Sequence, residues 1–182
     1  MHDVHVVVLA AGKGTRMKSQ VPKVLHRISG FALIERVLRT AGTLSPASIT
    51  LVVGHGADEV KAALTGPTGV REPAEAVSGA RPRLQFVVQE QQLGTGHALL
   101  QTRPLLEGKK GVVVLLSGDV PLLTSGTLRS LIDTHTQCEA AATVVTAEMP
   151  RPFGYGRIVR SSGRISKIVE ERDASPAQRK IT

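Results

Sequence analysis

The sequence predicts an α/β fold built on a mostly parallel sheet, on three observations. Short apolar runs alternate with segments of helical periodicity along most of the chain. The runs are rich in Val, Leu and Ile, as strands covered on both faces tend to be. At 182 residues with 41% apolar content, the chain suits one globular domain with a real core.

The elements read as follows. "VHVVVLA" (4–10) is a buried strand, and "FALIERVLRTAGTL" (31–44) an amphipathic helix. "SITLVVG" (48–54) is a second strand and "GADEVKAALT" (56–65) a second helix. "RLQFVVQ" (83–89) is a third strand. "TGHALLQTRPLL" (95–106) opens a third helix, which Pro104 should end or kink. "GVVVLLSGD" (111–119) has the strongest strand pattern. "TSGTLRSLIDTHTQ" (124–137) is a helix with Thr124 or Ser125 as N-cap. "AAATVVTAEM" (140–149) reads as another strand, and residues 157–160 and 164–170 as a hairpin turning at 161–163. Ser175 and Pro176 start a helix just before the last residue, so the chain reads as interrupted there. Residues 66–82, rich in Gly, Pro and Ala, read as an exposed insertion.

Strand–helix alternation implies right-handed βαβ units, and in such sheets ligands bind beyond the carboxyl ends of the strands. Three segments therefore share one rim: 10–23, 89–96 and 117–121. The first contains "LAAGKGTRM" (9–17), which fits neither common glycine fingerprint. Met17 stands where a dinucleotide loop needs its third glycine, and Lys13 is followed by Gly14 rather than Ser or Thr. Its small residues let backbone N–H groups approach an anion, while Lys13, Arg16, Lys18 and Lys23 supply charge. The competing reading is a tight glycine turn with solvated basic residues. Asp119, delivered to the rim by an apolar strand, suits a Mg²⁺ that fills its shell with phosphate oxygens and water; otherwise it caps a turn. Gln89 can donate to and accept from a nucleobase edge, with Gly94 and Gly96 allowing close approach. Locally, an ordinary strand–turn–helix junction capped by Thr95 is the more economical reading.

The net charge of +8 is compatible with nucleic acid, anionic membranes or phosphorylated small molecules. With no Trp, one Tyr and three Phe, stacking platforms for nucleic acid are missing. No apolar run reaches membrane-span length, and no signal peptide is read at the N-terminus. The single cysteine, Cys138, fits a reducing cytoplasm. His26, His55 and His97 lack metal spacing and read as structural residues or as supports behind the site.

"LAAGKGTRMKSQVPKVLH", "QEQQLGTGHA", "LSGDVPLL", "GYGRIVR" and "IVEERDA" resemble, in order and spacing, the motifs of bacterial N-acetylglucosamine-1-phosphate uridyltransferases. These form the N-terminal half of bifunctional enzymes whose other half is an acetyltransferase. The resemblance runs from Val4 to the end, residues 66–82 excepted. It implies a Rossmann-like three-layer nucleotidyltransferase fold closed by a C-terminal hairpin, spanning 1–182 as one incomplete domain. It implies Mg²⁺-dependent transfer of UMP from UTP to N-acetylglucosamine 1-phosphate, with release of pyrophosphate, in the cytoplasm. By resemblance, Leu9, Ala10, Ala11 and Gly12 contact the nucleotide, and Arg16 and Lys23 stabilise charge on the phosphates. Gln89, Gly94 and Thr95 match the positions that read uracil. Ser117, Gly118 and Asp119 flank ribose and metal, with Asp119 the Mg²⁺ ligand. Gly156 and Glu170 match positions that hold the N-acetylglucosamine moiety. An "E-I-N-T-G"-like segment, a later metal-binding Asn and the hexapeptide repeats of the acetyltransferase half are not in the sequence. The resemblance therefore implies no acetyl transfer here, a homotrimer only for the longer form, and open alternatives: nucleotide binding without turnover, or a different nucleotide or sugar.

Overall fold

The computed structural model describes residues 3–12, 14, 17–66 and 84–182. The chain forms two compact units, Met1–Ala141 and Ala142–Thr182.

The first unit begins with β1 (Val4–Ala10), then a two-residue hairpin of β2 (Arg27–Ile28) and β3 (Phe31–Ala32). It continues through α1 (Leu33–Gly42), β4 (Ser48–Val53), α2 (Ala57–Thr65), β5 (Leu84–Val88), α3 (Thr95–Leu100), α4 (Arg103–Leu106), β6 (Val112–Ser117) and α5 (Ser125–Gln137). The main sheet has the order β5-β4-β1-β6 and every pairing in it is parallel. The chain runs outward from β1 to β4 to β5, then returns across β1 to β6.

That reversal explains the layers. Right-handed crossovers put helices on one face while the chain moves one way, and on the other face once it turns back. Ile34, Val37 and Leu38 of α1, Val60 and Leu64 of α2, and Leu128 of α5 pack with Val6, Val8, Leu51 and Leu116 in one cluster. On the opposite face, Val7 and Val52 pack with Ala98 of α3, bordered by Leu99 and by Leu106 of α4. The expected three-layer α/β architecture is thus present in this unit, and successive residues of β1 serve different cores.

Three expectations need correction. The helix expected over 31–44 starts at Leu33, because Phe31 and Ala32 pair with Ile28 and Arg27. Ser29 (φ 51°) and Gly30 (φ 82°) both adopt the left-handed conformation that a tight two-residue hairpin requires. The helix expected over 95–106, with an end or kink at Pro104, is two helices, and the break comes earlier, at Gln101 and Thr102. Thr102, 1% exposed, turns its hydroxyl onto Leu99 O at 2.7 Å, and Pro104 lies in the first turn of α4, where its missing N–H costs nothing. A continuous helix would have driven the proline ring against the Leu100 carbonyl. The strand expected over 140–149 is absent. Val144 and Val145 are 42% and 49% exposed, so neither face is buried. β-branched residues favour strands through packing on a pleated surface, and without that surface the preference has nothing to act on.

Other expectations hold. Thr124 caps α5, its Oγ1 accepting from Thr127 N at 3.1 Å. In the second unit β7 (Arg157–Ser161) pairs antiparallel with β8 (Arg164–Val169), as the hairpin pattern predicted. Buried Arg157 anchors this unit, its Nη2 lying 2.7 Å from Glu171 Oε2. Ser175 differs: its Oγ accepts from Gln178 N at 3.3 Å while Gln178 Oε1 accepts from Ser175 N at 2.9 Å, but the 3₁₀ turn Gln178–Lys180 begins after Ala177, so the N-cap is Ala177 and not Ser175. Gly66 caps the end of α2, and the rest of the segment read as an insertion, 67–82, lies outside the described residues. No helix among the described residues is long and apolar enough to cross a membrane.

Ile34 is fully buried at the start of α1. Ile34→Ala should lower unfolding free energy by about 2–5 kcal/mol, measured by urea denaturation. Leu122, 80% exposed, should tolerate Ala within about 0.5 kcal/mol.

Candidate active site

The sheet reverses its strand order at β1, where open α/β sheets place their ligand crevice. A pocket lies there. It is lined by Leu9, Ala10, Ala11 and Gly12 leaving β1, by Lys23 and Val24, by Gln89, Gln92, Gly94, Thr95 and Ala98 around the turn into α3, and by Ser117 and Asp119 leaving β6. The three segments placed on one rim by sequence therefore meet.

Each wall has a local cause. The β1–β6 ladder continues past its last strand pair, with Gly118 N donating to Leu9 O at 2.9 Å. A Cβ on Gly118 would stand 3.0 Å from that oxygen and 3.0 Å from Ile34 Cδ1, so a side chain there would press the two strand ends apart. Gly118 is thus a spacer beneath the site and is not among the lining residues. Gly12 faces open space. Gly14 has φ +60°, and a Cβ on it would come within 2.9 Å of Lys23 Cβ. This second glycine makes room for Lys23, a role that sequence reading did not assign to it. Lys23 starts a 3₁₀ turn, Lys23–Leu25, whose Val24 is buried in the main core.

Lys23 Nζ forms an ion pair with Asp119 Oδ2, and Ser117 Oγ donates to Asp119 Oδ1 at 2.5 Å. Burial pushes the Asp119 carboxyl up, but the hydrogen bonds from Lys23 and Ser117 and the Lys23 charge outweigh it, so its pKa lies below the usual value. Asp119 stays ionised at neutral pH, and the local charge is balanced without ligand.

Gln89, 4% exposed, donates from Nε2 to Gly94 O at 3.1 Å and faces His97 Nδ1 at 3.0 Å. Gln92 donates to Ala11 O at 2.6 Å, tying the turn before α3 to the end of β1. Gln92, Val24 and Ala98 are lining residues that the sequence did not single out. Gln92 is one of three glutamines in "QEQQ", and spacing alone does not tell which reaches across. Gly94 (φ +101°) precedes α3 with no side-chain cap, so Thr95 is the first helical residue rather than the N-cap.

Three candidates remain. Arg16 is outside the described residues. Gly156 and Glu170 belong to the second unit. A Cβ on Gly156 would meet Ile168 Cγ2 at 3.3 Å, and Glu170 borders a shallow surface with Glu171 and Arg172.

A resident divalent ion fits the chemistry of the main pocket. No group of three or more metal-ligating side chains occurs among the described residues. A single carboxylate suits Mg²⁺, whose other ligands would be phosphate oxygens and water.

The sequence profile of the MobA-like NTP transferase domain matches residues 6–177. A protein of Acaryochloris marina named Bifunctional protein GlmU is 45% identical over 177 residues, covering 97% of this chain and 36% of that protein. The chain thus spans about a third of the length of that relative. A putative glucose-1-phosphate thymidylyltransferase of Bacillus anthracis shares the fold, with a TM-score of 0.71 at 16% identity, covering 92% of this chain and 64% of that one. Rv0371c of Mycobacterium tuberculosis H37Rv, solved in complex with manganese, gives 0.54 at 25% identity, covering 75% of this chain and 61% of that one.

A carboxylate whose pKa is lowered by folding adds stability above its unfolded value and loses it as pH falls through the folded one. The stability difference between the protein and its Asp119→Asn variant should therefore be flat from neutral pH down to about 5 and close only below about 4, in denaturation series across pH.

Proposed function

The chain belongs to the MobA-like NTP transferase domain family and is a nucleotidyltransferase, and from that premise we propose that it transfers UMP from UTP to N-acetylglucosamine 1-phosphate. One observation carries the reading. The pocket at the β1/β6 switch point joins a small-residue backbone turn, a lysine, a carboxylate and a glutamine amide within one crevice.

The roles follow from the chemistry of each group. Backbone at Leu9–Gly12 lies against the nucleotide, since Ala10, Ala11 and Gly12 are small and Gly12 faces open space. A sugar-phosphate oxygen attacks the α-phosphorus, the α–β bridging P–O bond breaks, and pyrophosphate leaves with the electron pair. Positioning and charge stabilisation dominate such a step. Lys23 turns from Asp119 to the phosphates, and Arg16 joins it there. Asp119, with Ser117 behind it, would hold Mg²⁺, which when bound neutralises phosphate charge. Gln89, Gly94 and Thr95 border the base, and Gly156 and Glu170 hold the sugar. In this reading residues 1–182 form one catalytic domain, with 66–82 as a surface insertion.

Incubation with UTP, N-acetylglucosamine 1-phosphate and Mg²⁺ should release pyrophosphate, and a panel of other nucleotides and sugar phosphates should release much less. Arg16→Ala and Asp119→Ala should each slow release at least about tenfold if their charges act on the transition state. UTP binding in calorimetry with no pyrophosphate would instead identify a binding module.

A further inference from the structure

His97 is not among the residues lining the pocket, but it faces the amide of Gln89, which is. Gln89 Nε2 lies 3.1 Å from Gly94 O and 3.0 Å from His97 Nδ1. A carbonyl oxygen only accepts, so Gly94 fixes the atom facing it as the amide nitrogen; the flipped amide would set two oxygens against each other. The second N–H of that nitrogen then points to His97 Nδ1. Gln101 Nε2 approaches the same ring, 3.2 Å from His97 Nε2. A neutral imidazole has only one accepting nitrogen. Each amide nitrogen spends one N–H on a backbone carbonyl, Gln89 on Gly94 O and Gln101 on His97 O, but half-buried Gln101 can turn its second N–H to water, whereas Gln89 is only 4% exposed. Nδ1 is therefore the bare nitrogen, and Nε2 carries the proton.

Both N–H groups of the Gln89 amide are thus spent within the protein. Its Oε1 accepts from no described residue, and Gln89 lines the pocket.

We propose that His97 is a positioning residue for specificity: it locks the Gln89 amide with its oxygen as the available group, so the site selects nucleobases bearing an imide N–H. Uracil and thymine carry that proton on N3. Cytosine presents a bare N3 in the same place, which would face an oxygen lone pair. A site that hydrogen-bonds one partner leaves its polar group unpaired with the other, and that penalty supplies discrimination. The proposal rests on the reading that a nucleotide base sits at Gln89.

The test compares UTP and CTP binding by calorimetry in the protein, His97→Leu and His97→Asn. Leu keeps packing volume but removes the acceptor, while Asn is smaller and restores an acceptor near the Nδ1 position. The expected result is a UTP preference in the parent that falls at least about tenfold in His97→Leu and largely returns in His97→Asn. An unchanged UTP/CTP ratio in His97→Leu would overturn the role of His97 while leaving base reading by the pocket intact. A parent that binds neither nucleotide, or both equally, would remove the base reading and this proposal with it. Imidazole ¹⁵N shifts of the parent give a second check that needs no variant: a proton on Nε2 agrees with the proposal, and a proton on Nδ1 contradicts it.

Discussion

The position of β1 is the constraint on which the rest depends. It is hydrogen-bonded along its length to β4 on one side and β6 on the other, all three running parallel. Val6, Val7, Val8 and Ala10 are all buried, and they alternate between the two faces of the sheet. A strand enclosed on four sides has one open direction, its carboxyl end. There the chain must leave between two helical layers, and the crevice forms because the neighbouring strands depart to opposite sides. The backbone bond from Gly118 to Leu9 holds the β1 and β6 ends together, so the turn after β1 and the Asp119 carboxylate share one floor.

Charge within that crevice is arranged around a pair that can open. Lys23 and Asp119 have side chains 36% and 24% exposed, and pairs this accessible add little stability. What the pair supplies is readiness. Asp119 stays ionised and Lys23 is held over the pocket by a 3₁₀ turn anchored through buried Val24. In the proposed function, a triphosphate with its metal would offer each partner a counter-charge that competes with the other. Gly14 serves this arrangement by packing against the Lys23 stem, which ties the glycine loop to the lysine nine residues later.

The legible part of the fold was the part written in local pattern. β1, β4, β5 and β6 are apolar runs of strand length, and the parallel order follows from the helices between them. The misread parts depend on neighbours. Val144 and Val145 have strand propensity but join no sheet among the described residues, and the helix beginning at Thr95 ends at Leu100, where the Thr102 hydroxyl turns back onto Leu99 O, before the break expected at Pro104. The tight turn at Ser29 and Gly30 was hidden inside a sequence that also fits a helix start. Among the lining residues, Gln89 and Asp119 could be picked out by chemical type at strand ends, and Lys23 by its charge after the glycine loop. Gln92 could not, since it reaches Ala11 O by a single contact across a turn, and His97 could be read only as structural or as a support behind the site, because its contact with the Gln89 amide is not written in spacing.

The central claim is that one nucleoside triphosphate and one divalent ion occupy the β1/β6 crevice together. Backbone amide resonances during titration with Mn²⁺ and UTP test it most directly, because a paramagnetic ion broadens only what lies near it. The account predicts that Mn²⁺ with UTP broadens the amides of residues 9–12, 89–95 and 117–119, and that Asp119→Asn abolishes the effect. Broadening centred on another part of the first unit, or binding of UTP that leaves these three segments sharp, would contradict it.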